Sequence, residues 1–189
     1  GGAAWNQAVG MTFASSGRMF VWEHGGRVWI VDAAHPEAQP FLDISDEVLV
    51  WNEHGFNGFA LDPDYAHNGF VYAMYAVDRQ HLDHCDSPFD GAPVCDAQYD
   101  AATTWIPSDS NSPGYNKVTI GRIVRYTAVK PDGAADFLLA SFVDPGSRRV
   151  LLGATTKGQP FAGGIPLLWD EHGLGTLLFG SDGTLIASV

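Results

Sequence analysis

A short unit that occurs three times constrains this chain most: an apolar alternation, a Gly-containing turn, then a second apolar run. The first copy runs Gly10-Met11-Thr12-Phe13, Ala14-Ser15-Ser16-Gly17, Arg18-Met19-Phe20-Val21-Trp22. The second runs Gly58-Phe59-Ala60-Leu61, a turn from Asp62 to Gly69, then Phe70-Val71-Tyr72-Ala73-Met74-Tyr75. The third is Thr176-Leu177-Leu178-Phe179, Gly180-Ser181-Asp182-Gly183, Thr184-Leu185-Ile186-Ala187-Ser188. Each reads as strand, tight turn, strand. Phe13 and Leu61 lie 48 positions apart, in keeping with the roughly 40–50 residues of a four-stranded propeller blade.

Leu61 and Phe179 are 118 positions apart, too many for one blade. The stretch 78–116 is rich in Asp, Ser, Pro and Gly, lacks sustained periodicity, and reads as a loop insertion. Outer strands are expected over 26–31, 118–126, 137–142 and 150–152. The expected fold is all-β: a partial β-propeller of about two and a half blades, forming one domain over 1–189 and interrupted at 78–116. Periodicity alone leaves a jelly roll or sandwich open.

Composition narrows the partners. The chain is 46% hydrophobic and 17% charged, which places it among folding sequences. A net charge of −12 with ten scattered basic residues offers no cationic patch for nucleic acid or an anionic membrane surface. No apolar run approaches the roughly 18 residues of a spanning helix, so no membrane insertion is expected. Cys85 and Cys95 bracket a Gly/Pro-containing loop that a disulfide could close, the alternative being two unpaired thiols. A disulfide implies a periplasmic or secreted protein. The chain opens Gly1-Gly2 and stops at Val189 in an apolar run, so both ends read as cut from a larger ring.

Two segments carry chemistry. Trp51-Asn52-Glu53-His54-Gly55 precedes the inner strand of the second copy, and Glu171-His172-Gly173 precedes that of the third. Loops entering inner strands face a propeller's central axis, so each copy aims a Glu-His pair at one end of the channel. An imidazole with an ordinary pKa near 6.5 accepts a proton at neutral pH, and a neighbouring carboxylate orients it or holds a substrate hydroxyl. The plainer alternative is that each His caps a turn or bonds a loop carbonyl.

Five runs in order carry a resemblance: Ser15 to Glu23, Phe41-Leu42-Asp43-Ile44-Ser45, Gly58 to Tyr65, Asn68-Gly69-Phe70-Val71-Tyr72, and His172 to Gly183. Collinear from about Gly10 to Val189, the chain resembles the soluble PQQ-dependent sugar dehydrogenase family, also called the glucose/sorbosone dehydrogenase family. The resemblance implies a six-bladed propeller that oxidises the anomeric hydroxyl of an aldose and passes a hydride to pyrroloquinoline quinone (PQQ) beside calcium. It assigns His172 as general base and Glu171, an Asp in the best-known members, as a sugar contact. Glu53 falls where the family keeps a side chain near the sugar. The electron acceptor is not implied.

Departures from the family pattern matter too. Phe56-Asn57 stands where the family has two apolar residues between glycines. The residues that hold the quinone and its calcium lie downstream in the family, past Val189, so the chain alone is expected to be inactive. A non-catalytic extracellular propeller that binds carbohydrate or protein is the alternative. Weaker candidates are His81-Leu82-Asp83-His84-Cys85 as a metal site, read as an exposed loop with no standard spacing, and Trp51 or Trp169 as a stacking surface for a sugar.

Overall fold

The computed structural model describes residues 5–31, 39–100, 118–157, 159, 163–168 and 173–189. The strands are antiparallel. β1 (Ala8–Phe13), β2 (Met19–Glu23), β3 (Arg27–Val31) and β4 (Leu42–Asp43) form a four-stranded sheet in that order. Gly17, at φ +85°, closes the β1–β2 turn by donating its N–H to the Ala14 carbonyl at 2.9 Å, a conformation that side chains resist.

The second sheet contains β5 (Phe56–Leu61), the helical turn α1 (Tyr65–Asn68) and β6 (Phe70–Ala76). Next come α2 (Arg79–His84), β7 (Cys85–Asp86) and β8 (Val94–Cys95), then β9 (Thr119–Ala128) and β10 (Val143–Leu152). The sheet order is β10-β9-β6-β5, and β11 (Ile165–Leu167) continues the outer edge by pairing with Thr119, Ile120 and Gly121 of β9. β12 (Leu177–Phe179) and β13 (Leu185–Ala187) form a third hairpin. β5 packs against both β1 and β12, so the first strands of the three units lie side by side as in a propeller's inner ring. Among the described residues the fold is a partial β-propeller of two large sheets and a third hairpin, with the short β7–β8 pair inside the insertion.

β6 explains how the units stack. Val71, Ala73 and Tyr75 enter the core shared with Phe20, Trp22 and Val28 of the first sheet. Tyr72, Met74 and Ala76 enter a second cluster with Leu174 and Leu177 on the other side. A period of two places alternate side chains on opposite faces, and because both faces are covered the strand is apolar throughout. Aromatic contacts reinforce both layers: Trp22 lies 5.9 Å from Phe59, and Tyr72 lies 5.2 Å from Phe179. On β1, by contrast, Val9, Met11 and Phe13 are 48, 63 and 58% exposed, an apolar row of the kind a neighbouring blade covers.

Three local expectations need correction. The second copy's turn is a helical turn rather than a tight loop. Asp62 organises it by accepting from the Asp64 amide (2.9 Å), the Asn68 side chain (2.9 Å) and the Tyr72 hydroxyl (2.8 Å). The apolar segment 137–142 is not a strand, and the outer strand begins at Val143. Its Leu138 and Ala140 carbonyls go instead to the Arg18 guanidinium, at 3.3 and 2.6 Å. Finally, the described part of the insertion has structure of its own. Within it His81, Leu82 and Cys85 are buried rather than exposed, and Cys85 and Cys95 are joined as a disulfide.

Candidate functional site

Strand directions bring several loops to one end of the sheets. The β2–β3 turn with His24, the loop from Ile44 to Gly55, the entry to the insertion after Ala76, the end of β11 and the residues from Gly173 that lead into β12 all lie where β5, β9 and β12 begin. Glu53 and the disulfide-bearing insertion therefore share an end. Glu171 and His172 lie outside the described residues, as does Trp169. Their neighbour Gly173 is described.

The Glu53 loop is a small hairpin. Trp51 and His54 exchange backbone hydrogen bonds at 3.2 and 2.9 Å, and Asn52 occupies the left-handed region at φ +50°, which Asn tolerates better than most residues. The Asn57 side-chain amide donates to the Glu53 carbonyl at 3.1 Å. The residue that departs from the family pattern thus ties down the loop carrying Glu53. Glu53 itself is exposed, whereas His54 is buried.

Imidazoles pack on glycines here. A Cβ placed on Gly55 would fall 2.1 Å from Cδ2 and Nε2 of His24, and one on Gly173 would fall 3.1 Å from Cδ2 and Nε2 of His54. The structure thereby brings the His54 ring against the backbone that directly follows His172. Burial holds the His24 imidazole below its ordinary pKa. Beside this stack, Gln7, Val9, His24, Val50, Trp51 and Asn52 line an open groove of about 430 Å³.

A second polar centre lies beneath the insertion. Buried Glu47 accepts from Arg122 (3.0 Å), Arg148 (3.1 Å) and the Tyr75 hydroxyl (2.6 Å), with His81 Nε2 at 3.8 Å. Arg122 also donates to Gly153 O and Thr155 Oγ1, each at 2.9 Å, and Arg148 donates to Ser87 Oγ at 2.8 Å. Sequence reasoning missed these residues. The available signal was a charge set inside an apolar strand, as in Thr119-Ile120-Gly121-Arg122-Ile123-Val124. His81, Cys85 and Cys95 are the one His/Cys/Asp/Glu group close enough for a metal among the described residues. Its sulfurs are spent in the disulfide, and a metal ligand must be thiolate.

Residues 5–88 match the glucose / sorbosone dehydrogenase family. The matched segment takes in the groove residues, β1 to β6 and the first part of the insertion with α2, and includes Glu53. Among curated proteins, the HIPL2 protein of Arabidopsis thaliana is 26% identical over 181 residues, covering 90% of this chain and 23% of that protein. The HIPL1 protein of the same plant is 28% identical over 148 residues, covering 78% and 19%. The chain thus spans less than a quarter of either relative. A Thermus thermophilus oxidoreductase described as a glucose dehydrogenase aligns over 96% of this chain and 36% of its own, at a TM-score of 0.53 and 19% identity. That likeness concerns the fold. The PQQ-bound aldose sugar dehydrogenase of Streptomyces coelicolor aligns more loosely, at 0.47 and 18%, over 96% of this chain and 37% of its own.

Proposed function

We propose that the protein carrying this chain is an oxidoreductase of the glucose/sorbosone dehydrogenase type. It oxidises an aldose at its anomeric hydroxyl, with PQQ as hydride acceptor. One observation carries the reading: the Glu53-His54 loop and the backbone that follows Glu171-His172 meet at one end of the inner strands. In the proposal His172 takes the hydroxyl proton, Glu171 and Glu53 hold sugar hydroxyls, and Trp51 offers an apolar face beside them. The cofactor, when bound, supplies the hydride-accepting chemistry.

The described residues do not themselves fit the cofactor. Arg122 and Arg148 are committed to Glu47 and to neighbouring oxygens rather than open to an anionic quinone. No cluster of three or more carboxylates close enough to share a calcium ion occurs among the described residues. The proposal therefore assigns the quinone and calcium seat to other parts of the protein, and this chain's share is proton transfer and sugar contact. A periplasmic or secreted location accords with the Cys85–Cys95 disulfide. No helix among the described residues is long and apolar enough to cross a membrane.

The commitment of both buried arginines also suits the alternative of a non-catalytic carbohydrate- or protein-binding propeller. Reconstituting the full-length protein with PQQ and calcium, and following sugar-dependent reduction of an artificial acceptor dye, separates the two. The enzyme reading expects turnover that falls by about 10²–10⁴ in His172→Ala. Turnover that survives in the variant overturns the base assignment, and no turnover with any aldose favours the binding module.

A further inference from the structure

We propose that His81, Cys85 and Cys95 form a binding site for a thiolate-seeking cation of the zinc type, available when the Cys85–Cys95 bond is reduced and withdrawn when that bond forms. Metal and disulfide compete for the same two sulfurs.

Local structure sets the three ligands together. His81 lies on α2, and Cys85 caps that helix four residues on, its amide donating to the His81 carbonyl. Cys95 stands directly opposite Cys85 in the β7–β8 pair. One donor atom from each residue lies within 4.8 Å of the other two. Two thiolates and an imidazole are ligands that zinc takes, with its fourth position left to water. Zn–S bonds of about 2.3 Å set the sulfurs on a tetrahedral ion about 3.8 Å apart. Opposed strand residues reach that separation by rotating their side chains.

His81 is what points to a ligand rather than to a disulfide alone. Its side chain is 1% exposed, and neither ring nitrogen has a hydrogen-bond partner among the described residues. Glu47 Oε2, at 3.8 Å from Nε2, is beyond hydrogen-bond range and already engaged by Arg122, Arg148 and Tyr75. Tyr99 meets the imidazole edge to face, while its hydroxyl goes to the Asp46 carbonyl. A buried ring nitrogen without a partner is unfavourable, and coordination gives it one.

Other contacts also hold this frame. Asp78 caps α2 by accepting from the Gln80 amide at 2.8 Å, the Asp96 amide donates to the His84 carbonyl at 2.9 Å, and Lys157 holds the Asp96 carboxylate at 3.0 Å. Cys95 is open to solvent and is the sulfur a reductant meets. A phosphine reductant supplies two electrons and takes oxygen from water, and the two sulfurs take the two protons. Zinc then displaces both thiol protons. A dication with two thiolates and a neutral imidazole carries no net charge, which suits a site whose His81 and Cys85 are buried. Oxidation removes two electrons, joins the sulfurs and releases the ion.

Full-length protein, oxidised or reduced with the phosphine, is titrated with Co2+ as a coloured stand-in and then with Zn2+ in competition. Reduced wild type should take up one ion with a thiolate-to-cobalt charge-transfer band and release two protons per ion, and the oxidised protein should do neither. Cys85→Ser should lose that ion, and His81→Phe should bind it at least roughly a hundredfold more weakly. Mass spectrometry after alkylation should find Cys85 and Cys95 shielded by Zn2+ in reduced wild type. No ion in the reduced protein, equal binding by the oxidised protein, cysteines alkylated as fast with Zn2+ as without, or undiminished affinity in His81→Phe overturns the proposal. If the reduced protein unfolds, Zn2+ should restore its circular-dichroism spectrum, because an ion that binds the folded form favours it. A spectrum that Zn2+ leaves unchanged overturns the proposal equally.

Discussion

Glu47 and Arg122, 75 positions apart in sequence, meet as a buried ion pair at 3.0 Å, with the Arg122 side chain fully inaccessible to solvent and Glu47 nearly so. Arg148 reaches the same carboxylate oxygen from β10. With Tyr75 of β6, one acid therefore holds together the loop before β5, three strands of the second sheet and, through Arg148 and Ser87, the insertion. Glu47→Gln leaves two buried guanidinium groups without their counter-charge. We expect a loss of about 3–5 kcal/mol of stability, read as a lower urea midpoint.

Acid should unfold the protein in two stages. Burial, helped by Arg122 and Arg148 and opposed by Glu47, pushes the His81 imidazole down to about 4 from 6.5. Between those values the unfolded chain binds a proton that the folded one refuses, so stability falls as pH drops through this window. Burial alone would raise the Glu47 carboxyl, but His81 when protonated, Arg148, Arg122 and the Tyr75 hydroxyl outweigh it and hold it at about 2, down from 4.5. Its contribution is complete above 4.5 and disappears as pH falls toward 2. Urea midpoints across the acid range should drop twice, and His81→Phe should flatten the upper step.

The Cys85–Cys95 bond closes a short loop, with Cys85 itself fully buried. Reduction, or Cys95→Ser, should cost roughly 3 kcal/mol in the loop-entropy model. Mass spectrometry after alkylation, with and without reductant, identifies the bond, and the urea midpoint reads its effect. An unchanged midpoint would show that the noncovalent contacts of the insertion, among them Arg148 to Ser87, Tyr99 to the Asp46 carbonyl and Lys157 to Asp96, hold it without the bond.

Gly58 lets two inner strands approach. A Cβ there would fall 2.7 Å from Leu177 Cβ and 3.0 Å from its backbone nitrogen, neither of which can swing aside. Gly58→Ala should therefore destabilise by about 1–3 kcal/mol, visible as a lower melting temperature.

Asn57 anchors the loop of Glu53 through its side-chain hydrogen bond. Asn57→Leu restores the apolar pair of the family pattern and removes that anchor. If Glu53 contacts the sugar, KM should rise a few-fold with kcat little changed, as expected when uniform binding is lost. Isothermal titration with the substrate sugar offers an independent check.

Much of the architecture was legible in local pattern. The three strand–turn–strand copies correspond to β1–β2, β5–β6 and β12–β13, because a period of two and a glycine at a turn are properties of adjacent residues. Segment 137–142 misled for the converse reason. Phe137, Leu138 and Ala140 do pack against the core, but the Leu138 and Ala140 carbonyls found a distant guanidinium instead of a ladder, which no local window contains.

The site divides in the same way. The sequence by itself singled out Glu53, Glu171 and His172, since a repeated Glu-His pair before an inner strand is a local motif. It also spaced the two cysteines for a bond. Only the tertiary structure decided that His54 leans on Gly173, that Asn57 holds Glu53, and that Glu47 gathers two arginines beneath the insertion. Each of the His54 and Glu47 contacts joins residues from separate sheets or loops, and burial gives them their strength. Water is excluded only after the blades have stacked, so their energy does not exist in any isolated stretch of the chain.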